Sequence, residues 1–438
     1  MTKRSVFCLC ATLALVFATE QPSALDQTAA PARSDRGGAA VWTQWGGPRR
    51  DFMVDSAGLA SSWPADGPRR LWQRSLGEGH SAVVAEGGRL YTMYRPLGLL
   101  SMIRRSQQET ITALDAATGK TIWEHTYDAS TAGQDLEFGA GPHSTPLIAG
   151  NRLFAMSSRI QLFALDKQSG KLLWSHDLIG EYGAAPEGRG YAPSPIAYRD
   201  TVIVPAGGKA GSVMAFRQDT GAVAWKGGAF PLGPASPILI NLDGQDQLVI
   251  TGGNEMVGMS PTDGSVLWTH PHKTDWGLNI STPVWADGNR LFVSAAYNNG
   301  ARLLKLSQSA GRTTVQEQWF QNRMRVHIGT VIRLGDFAVG SSGDFGPCPT
   351  VAVNLANGQL LWQNRDFARS TFLYADKKLI ILDEDGNLGL AAPTTTGLNV
   401  LARASILTNK AWTVPTLVGT KLYVRDRKDI LALELGAQ

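Results

Sequence analysis

The sequence predicts an all-β chain folded as an eight-bladed β-propeller. Each blade has four antiparallel strands, and the ring is closed by pairing of the N- and C-terminal strands. Three observations predict this. One polar hairpin recurs along the chain, its copies are evenly spaced, and each end of the chain carries half of a copy.

The hairpin is clearest at residues 164–174, ALDKQSGKLLW. An apolar pair, a polar turn ending in glycine and a second apolar run closed by tryptophan are hairpin chemistry. Residues 113–123 read ALDAATGKTIW, 215–225 AFRQDTGAVAW, 258–268 GMSPTDGSVLW and 352–362 AVNLANGQLLW. From Trp72 to Trp362 the tryptophans are spaced 51, 51, 51, 43, 51 and 43 residues apart. A repeat of that length made of short strands is a propeller blade. No long 3.6-residue period is present, which excludes a helical solenoid.

Taken in order, the chain opens with Lys3 and Arg4 and an apolar run from Val6 to Ala18. That is the layout of a secretory signal, too short to span a bilayer comfortably. Residues 1–24 are expected to be signal and cleavage region, 25–40 an Ala/Pro/Arg/Gly-rich flexible linker and 41–438 the propeller. No membrane span is expected in the mature chain, which is expected to be periplasmic or extracellular. Loss of Lys3 and Arg4 lowers the formal charge from +4 to about +2, too weak and scattered for a nucleic-acid partner. Cys8 and Cys10 leave with the signal, and Cys348 alone cannot form an internal disulfide.

The folded part opens on Trp42-Thr-Gln-Trp45. Residues 69–74, RRLWQR, then form the second half of the hairpin without its first. At the other end, residues 429–435, DILALEL, form the first half without its second. Their pairing removes a free edge. Ahead of each hairpin lies another, opening on Ser or Thr, often followed by Pro, as in 143–155, HSTPLIAGNRLFA. Proline is allowed at a strand head because that residue need not donate to the ladder. Third strands centred on Leu114, Leu165, Phe216, Met259, Leu306, Val353, Leu390 and Leu433 give the blade count. The repeated tryptophans are expected to pack between neighbouring blades.

The pattern A-L-D-x-x-T-G-K-x-x-W, as in residues 113–123, resembles the pyrroloquinoline-quinone (PQQ) repeat of quinoprotein propellers, over essentially residues 42–438. The resemblance implies the fold. It is shared by quinoprotein alcohol dehydrogenases and by the propeller lipoprotein of outer-membrane protein assembly. In the dehydrogenases it implies PQQ at the axis, with calcium, an Asp base, a Trp floor and usually a disulfide of adjacent cysteines. This chain has no adjacent cysteines after the signal and is shorter than those enzymes.

Function is expected where the repeat breaks, at the mouth of the central channel. Aligning the strand heads puts His80, His143, Ala192, Pro234, Ile280, Ile328, Arg369 and Trp412 in one register, with His327 next to Ile328. The expectation is a polar funnel for an anionic or hydroxylated ligand. His80, His143 and His327 serve as donors or base, Arg369 as anion clamp and Trp412 as apolar floor. Two long loops, 124–142 and 175–193, read as a lid or a partner surface. Arg95, Arg104, Arg105, Arg425 and Arg427 are expected to form a partner-facing basic patch where blades one and eight meet. No metal site is expected. Asp383-Glu-Asp385-Gly-Asn387 lacks the glutamate twelve places on and reads as a turn. Cys348 is expected to be a buried small hydrophobe.

The leading functional reading is an exported, monomeric binding and scaffolding module of the cell envelope. It would hold an envelope protein or a small polar ligand and need no cofactor. The alternative is a PQQ-dependent alcohol dehydrogenase using PQQ with calcium at the axis.

Overall fold

The computed structural model of the protein describes residues 41–97, 106–185 and 188–437. They form eight antiparallel blades, seven of four strands and one of five. Blade one runs Val84–Glu86, Arg89–Tyr94, Gln108–Asp115 and Thr121–Asp128. Later blades repeat the plan, and every third strand falls on the residue the repeat assigns to it. Arg69–Ser75 pairs antiparallel with Asp429–Glu434, so one sheet is built from both ends of the chain. No helix among the described residues is long and apolar enough to cross a membrane. The signal and linker expected at 1–40 lie outside the described residues.

The burial pattern explains the apolar runs. In blade two, Arg152–Met156 and Gln161–Asp166 are buried almost throughout, because neighbouring blades cover both faces. The outer strand of blade one, Thr121–Asp128, instead alternates between exposed and covered positions.

The motif residues have separate tasks. Asp115 caps its turn, accepting from the Thr118 amide at 2.8 Å and the Thr118 hydroxyl at 2.7 Å. Asp166 does the same with Ser169. The turn glycine comes next. Gly170 has φ of +72°, and a Cβ there would lie 2.5 Å from the ring of Trp123 in the preceding blade. The Trp123 indole donates to the Lys167 carbonyl of the same turn at 3.1 Å. Trp72 and Trp174 repeat this with Ala116 and Gln218. The tryptophan of one blade and the glycine turn of the next are therefore one joint. Only a residue free of Cβ fits it.

The Ser and Thr strand heads make a second joint nearer the axis. Thr145 accepts from the Ala82 amide, Ser194 from the Thr145 amide and Ser236 from the Ser194 amide, at 2.9–3.1 Å. Thr416 of blade eight donates to the Val83 carbonyl of blade one at 2.7 Å. Each short hydroxyl pairs a backbone group that a splayed inner strand would leave unpaired.

The segment after residue 41 crosses the channel. Trp42 exchanges backbone bonds with Ala85 of blade one, and Thr43 accepts from Ile148 of blade two. Arg50 donates to the Pro195 carbonyl of blade three at 3.0 Å. Trp45 donates to Thr282 of blade five at 2.9 Å. Met53–Val54 then adds a parallel strand to blade seven beside Tyr374 and Ala375.

Candidate binding site at the channel mouth

All eight residues of the predicted register line one cavity of about 690 Å³, and His327 lines it with them. The strand-head alignment works because the heads are tied blade to blade, which holds the preceding residues at one height around the axis. Trp45 of the crossing segment lines the same cavity. Its indole is held by Thr282, just beyond the strand-head register. Trp412 lines the cavity as well. Its indole donates to Glu384 at 2.9 Å, and its ring lies 5.4 Å from that of His80.

The walls are largely planar. His80 and His143 stack with centroids 5.5 Å apart and planes 8° apart. His80 Nε2 donates to the Phe138 carbonyl at 3.0 Å, and His143 Nε2 donates to the Arg189 carbonyl at 3.2 Å. Both carbonyls belong to the long loops. The loops also grip each other, with Arg189 paired to Asp135 at 3.1 Å and to Glu137 at 3.5 Å. They form a collar over blades one to three.

Across the cavity, His327 shares a short hydrogen bond with the Tyr297 hydroxyl. Tyr297, Trp276 and Phe345 meet edge to face, with centroids 4.9–6.3 Å apart. Trp276 and Phe345 are 62% and 69% exposed. Arg369 is buried beside them, donating to Cys348 Sγ at 3.4 Å and to the Asp344 carbonyl at 3.2 Å.

Desolvation holds all three imidazoles neutral at pH 7. It lowers His80 to about 3, with the His143 charge adding to the effect, and His143 to about 4. His327 falls to about 3 through desolvation and then the charges of Arg369 and Arg189. A base that weak is poorly matched to proton abstraction at neutral pH. These rings act as hydrogen-bonding and stacking surfaces.

The basic patch requires correction. Arg95 and Arg425 are each 1% exposed and face inward. Arg95 pairs with buried Glu109 at 2.8 Å and donates to the Ser106 and Ala129 carbonyls. Arg425 donates to the Ser81 and Met93 carbonyls of blade one at 3.1 and 2.8 Å. Arg95 bonds backbone and carboxylate groups largely within blade one and Arg425 those across the seam to blade one, in places where unpaired polar groups are costly. Arg427 is partly exposed and lies 3.8 Å from Glu78. Arg104 and Arg105 lie outside the described residues.

Calcium fits the lining poorly. Among the described residues Glu137 is the one carboxylate lining the cavity, and Arg189 holds it. No group of three metal-ligating side chains occurs among the described residues. The carboxylate of Asp383 is spent on its own turn, accepting from Asn387 and from the Asp385 amide. Cys348 is a free, buried thiol.

A family model described as outer membrane protein assembly factor BamB matches residues 107–364. The chain belongs to that family. The outer membrane protein assembly factor BamB of Yersinia pestis is 21% identical over 373 residues, 83% of this chain and 77% of its own length. The crystal structure of BamB from Moraxella catarrhalis superposes with a TM-score of 0.57 at 17% identity, covering 84% of this chain and all of that one. The quinohemoprotein alcohol dehydrogenase of Comamonas testosteroni gives 0.62 at 12% identity, covering 91% of this chain and 81% of its own. At these identities the solved structures establish the propeller, which BamB and dehydrogenases share. The PQQ-like repeat is thus a property of the blade.

Alignment of the strand heads could not find Trp45, Tyr297, Trp276 or Phe345. Trp45 precedes the first repeat, and the other three sit in turns whose lengths differ from blade to blade. The one available signal was their departure from the repeat.

Proposed function

We propose that this protein is an exported propeller of the cell envelope that binds and positions partners, as an assembly factor of the BamB type. In this reading residues 1–24 direct export, and the mature chain works in the periplasm as a monomer without a cofactor. Its partner is an envelope protein handled during outer-membrane assembly.

The observation that carries the reading is the chemistry of the channel mouth. The non-repeating residues converge there on an anion clamp, aromatic walls and neutral imidazoles. They supply recognition and lack both a base poised near neutrality and a carboxylate set for a metal. Membership of the BamB family supports the same conclusion.

The test is genetic. Deleting the gene should lower the amount of folded outer-membrane β-barrel protein, and the plasmid-borne chain should restore it. Unchanged barrel levels in the deletion strain would overturn the envelope-assembly role.

A further inference from the structure

Among the described residues the cavity contains one cation without a counter-charge. Arg369 is 8% exposed, and its protein hydrogen bonds use Nε and Nη2 only. Among the described residues no carboxylate lies within ion-pair distance of it, and the nearby Asp344 carboxylate is paired with Arg325 at 3.0 Å. The cavity's other arginine, Arg189, is already neutralised by Asp135 and Glu137. A buried guanidinium in that state calls for an anion.

A donor lines the same cavity. The Tyr297 hydroxyl, its pKa raised by burial, shares a hydrogen bond with His327 Nε2. In the tautomer in which Tyr297 is the donor, His327 carries its own proton on Nδ1. That atom is buried and has no hydrogen-bond partner in the protein. Arg369 and His327 together offer a charged and a neutral donor, which suits the two oxygens of a carboxylate.

The remaining surface selects the body of the ligand. The His80–His143 stack and Trp412 present flat walls, and Trp276 and Phe345 overhang the rim. Trp45 of the crossing segment adds a further aromatic face to the lining. A volume of about 690 Å³ is that of a small-molecule site.

We propose that the channel mouth binds a small aromatic monocarboxylate, its carboxylate on Arg369 and His327 and its ring between the imidazole stack and the rim aromatics. The proposal rests on the binding-module reading and names the ligand class of that site. One uncompensated cation matches one negative charge. A phosphate dianion or a polycarboxylate would bury charge without a partner.

The experiment is calorimetric titration of the full mature chain with three probes: 2-naphthoate, 2-naphthamide and 2-naphthyl phosphate. Naphthoate is expected to bind one to one, with the amide and the phosphate each weaker by roughly tenfold or more. Arg369→Gln should weaken naphthoate by about the same factor and leave the amide unchanged. Trp276→Ala, at an exposed position, should weaken naphthoate and amide alike. No saturable naphthoate binding at millimolar concentration, or equal affinity for naphthoate and amide, would overturn the proposal. If Arg369→Gln does not fold, the naphthoate-to-amide ratio of the wild type decides alone. Failure here leaves the barrel-protein phenotype standing, and loss of that phenotype with naphthoate binding intact removes only the envelope role.

Discussion

His80 and His143 come from neighbouring blades, 63 positions apart in the chain, and their rings lie nearly parallel at 5.5 Å. Neither would tolerate a proton there. Both are desolvated, and a charge on one raises the cost of a charge on the other.

The pH dependence of stability follows. The unfolded imidazoles take up protons below their ordinary value of 6.5, whereas the folded ones resist until about 4 and about 3. The unfolded state then binds more protons, so stability is complete above pH 6.5 and falls as the pH drops towards 4. His143→Phe keeps the stack and removes one titrating group. Its melting temperature should decline less steeply over that window, and parallel profiles for wild type and variant would refute the assignment.

The blade joint gives a sharper prediction. Gly170→Ala places a Cβ 2.5 Å from the Trp123 ring, at a φ of +72°. It should cost about 2–4 kcal/mol, from backbone strain and overpacking together. Urea unfolding measures it. Gly150→Ala, at an open turn with φ of +59° and nothing within 4 Å of the new Cβ, should cost clearly less.

Glu109 neutralises Arg95 inside blade one and also accepts from the Ser158 amide and the Tyr127 hydroxyl. Glu109→Gln strands the buried guanidinium. A loss of about 3–5 kcal/mol is expected on denaturant unfolding. A loss below about 1 kcal/mol, the size of a surface pair, would show that Arg95 finds water or another partner.

Trp45→Ala removes one aromatic face of the cavity. A cost of about 2–4 kcal/mol is expected from lost packing against Phe52, whose ring lies 5.4 Å from that of Trp45. Binding of 2-naphthoate should weaken in parallel, which a purely structural tryptophan would not produce at temperatures where the variant is fully folded.

Most of the fold was legible because its joints repeat. A tryptophan and a glycine 47 or 39 residues apart meet in blade after blade, so their spacing shows in the sequence. The five channel residues His80, His143, His327, Arg369 and Trp412 were legible for a related reason. They sit beside the Ser and Thr heads that lock the inner strands. What escaped has no repeat. Trp45 reaches the cavity through a segment that crosses the ring, and Phe345 stands on a turn peculiar to blade six. Arg95 and Arg425 were misplaced because charge alone suggests solvent. Their partners are Glu109 and the carbonyls of Ser81 and Met93, which only the folded chain brings within reach.

The most direct test of the central claim is what the protein holds when it is taken from its own envelope. The tagged chain would be purified from gently solubilised membranes and analysed by native mass spectrometry, then assayed for dye-linked alcohol oxidation with added PQQ and calcium. The account predicts a complex with outer-membrane assembly proteins and no turnover. A partner-free chain that retains the quinone and oxidises alcohols would contradict it.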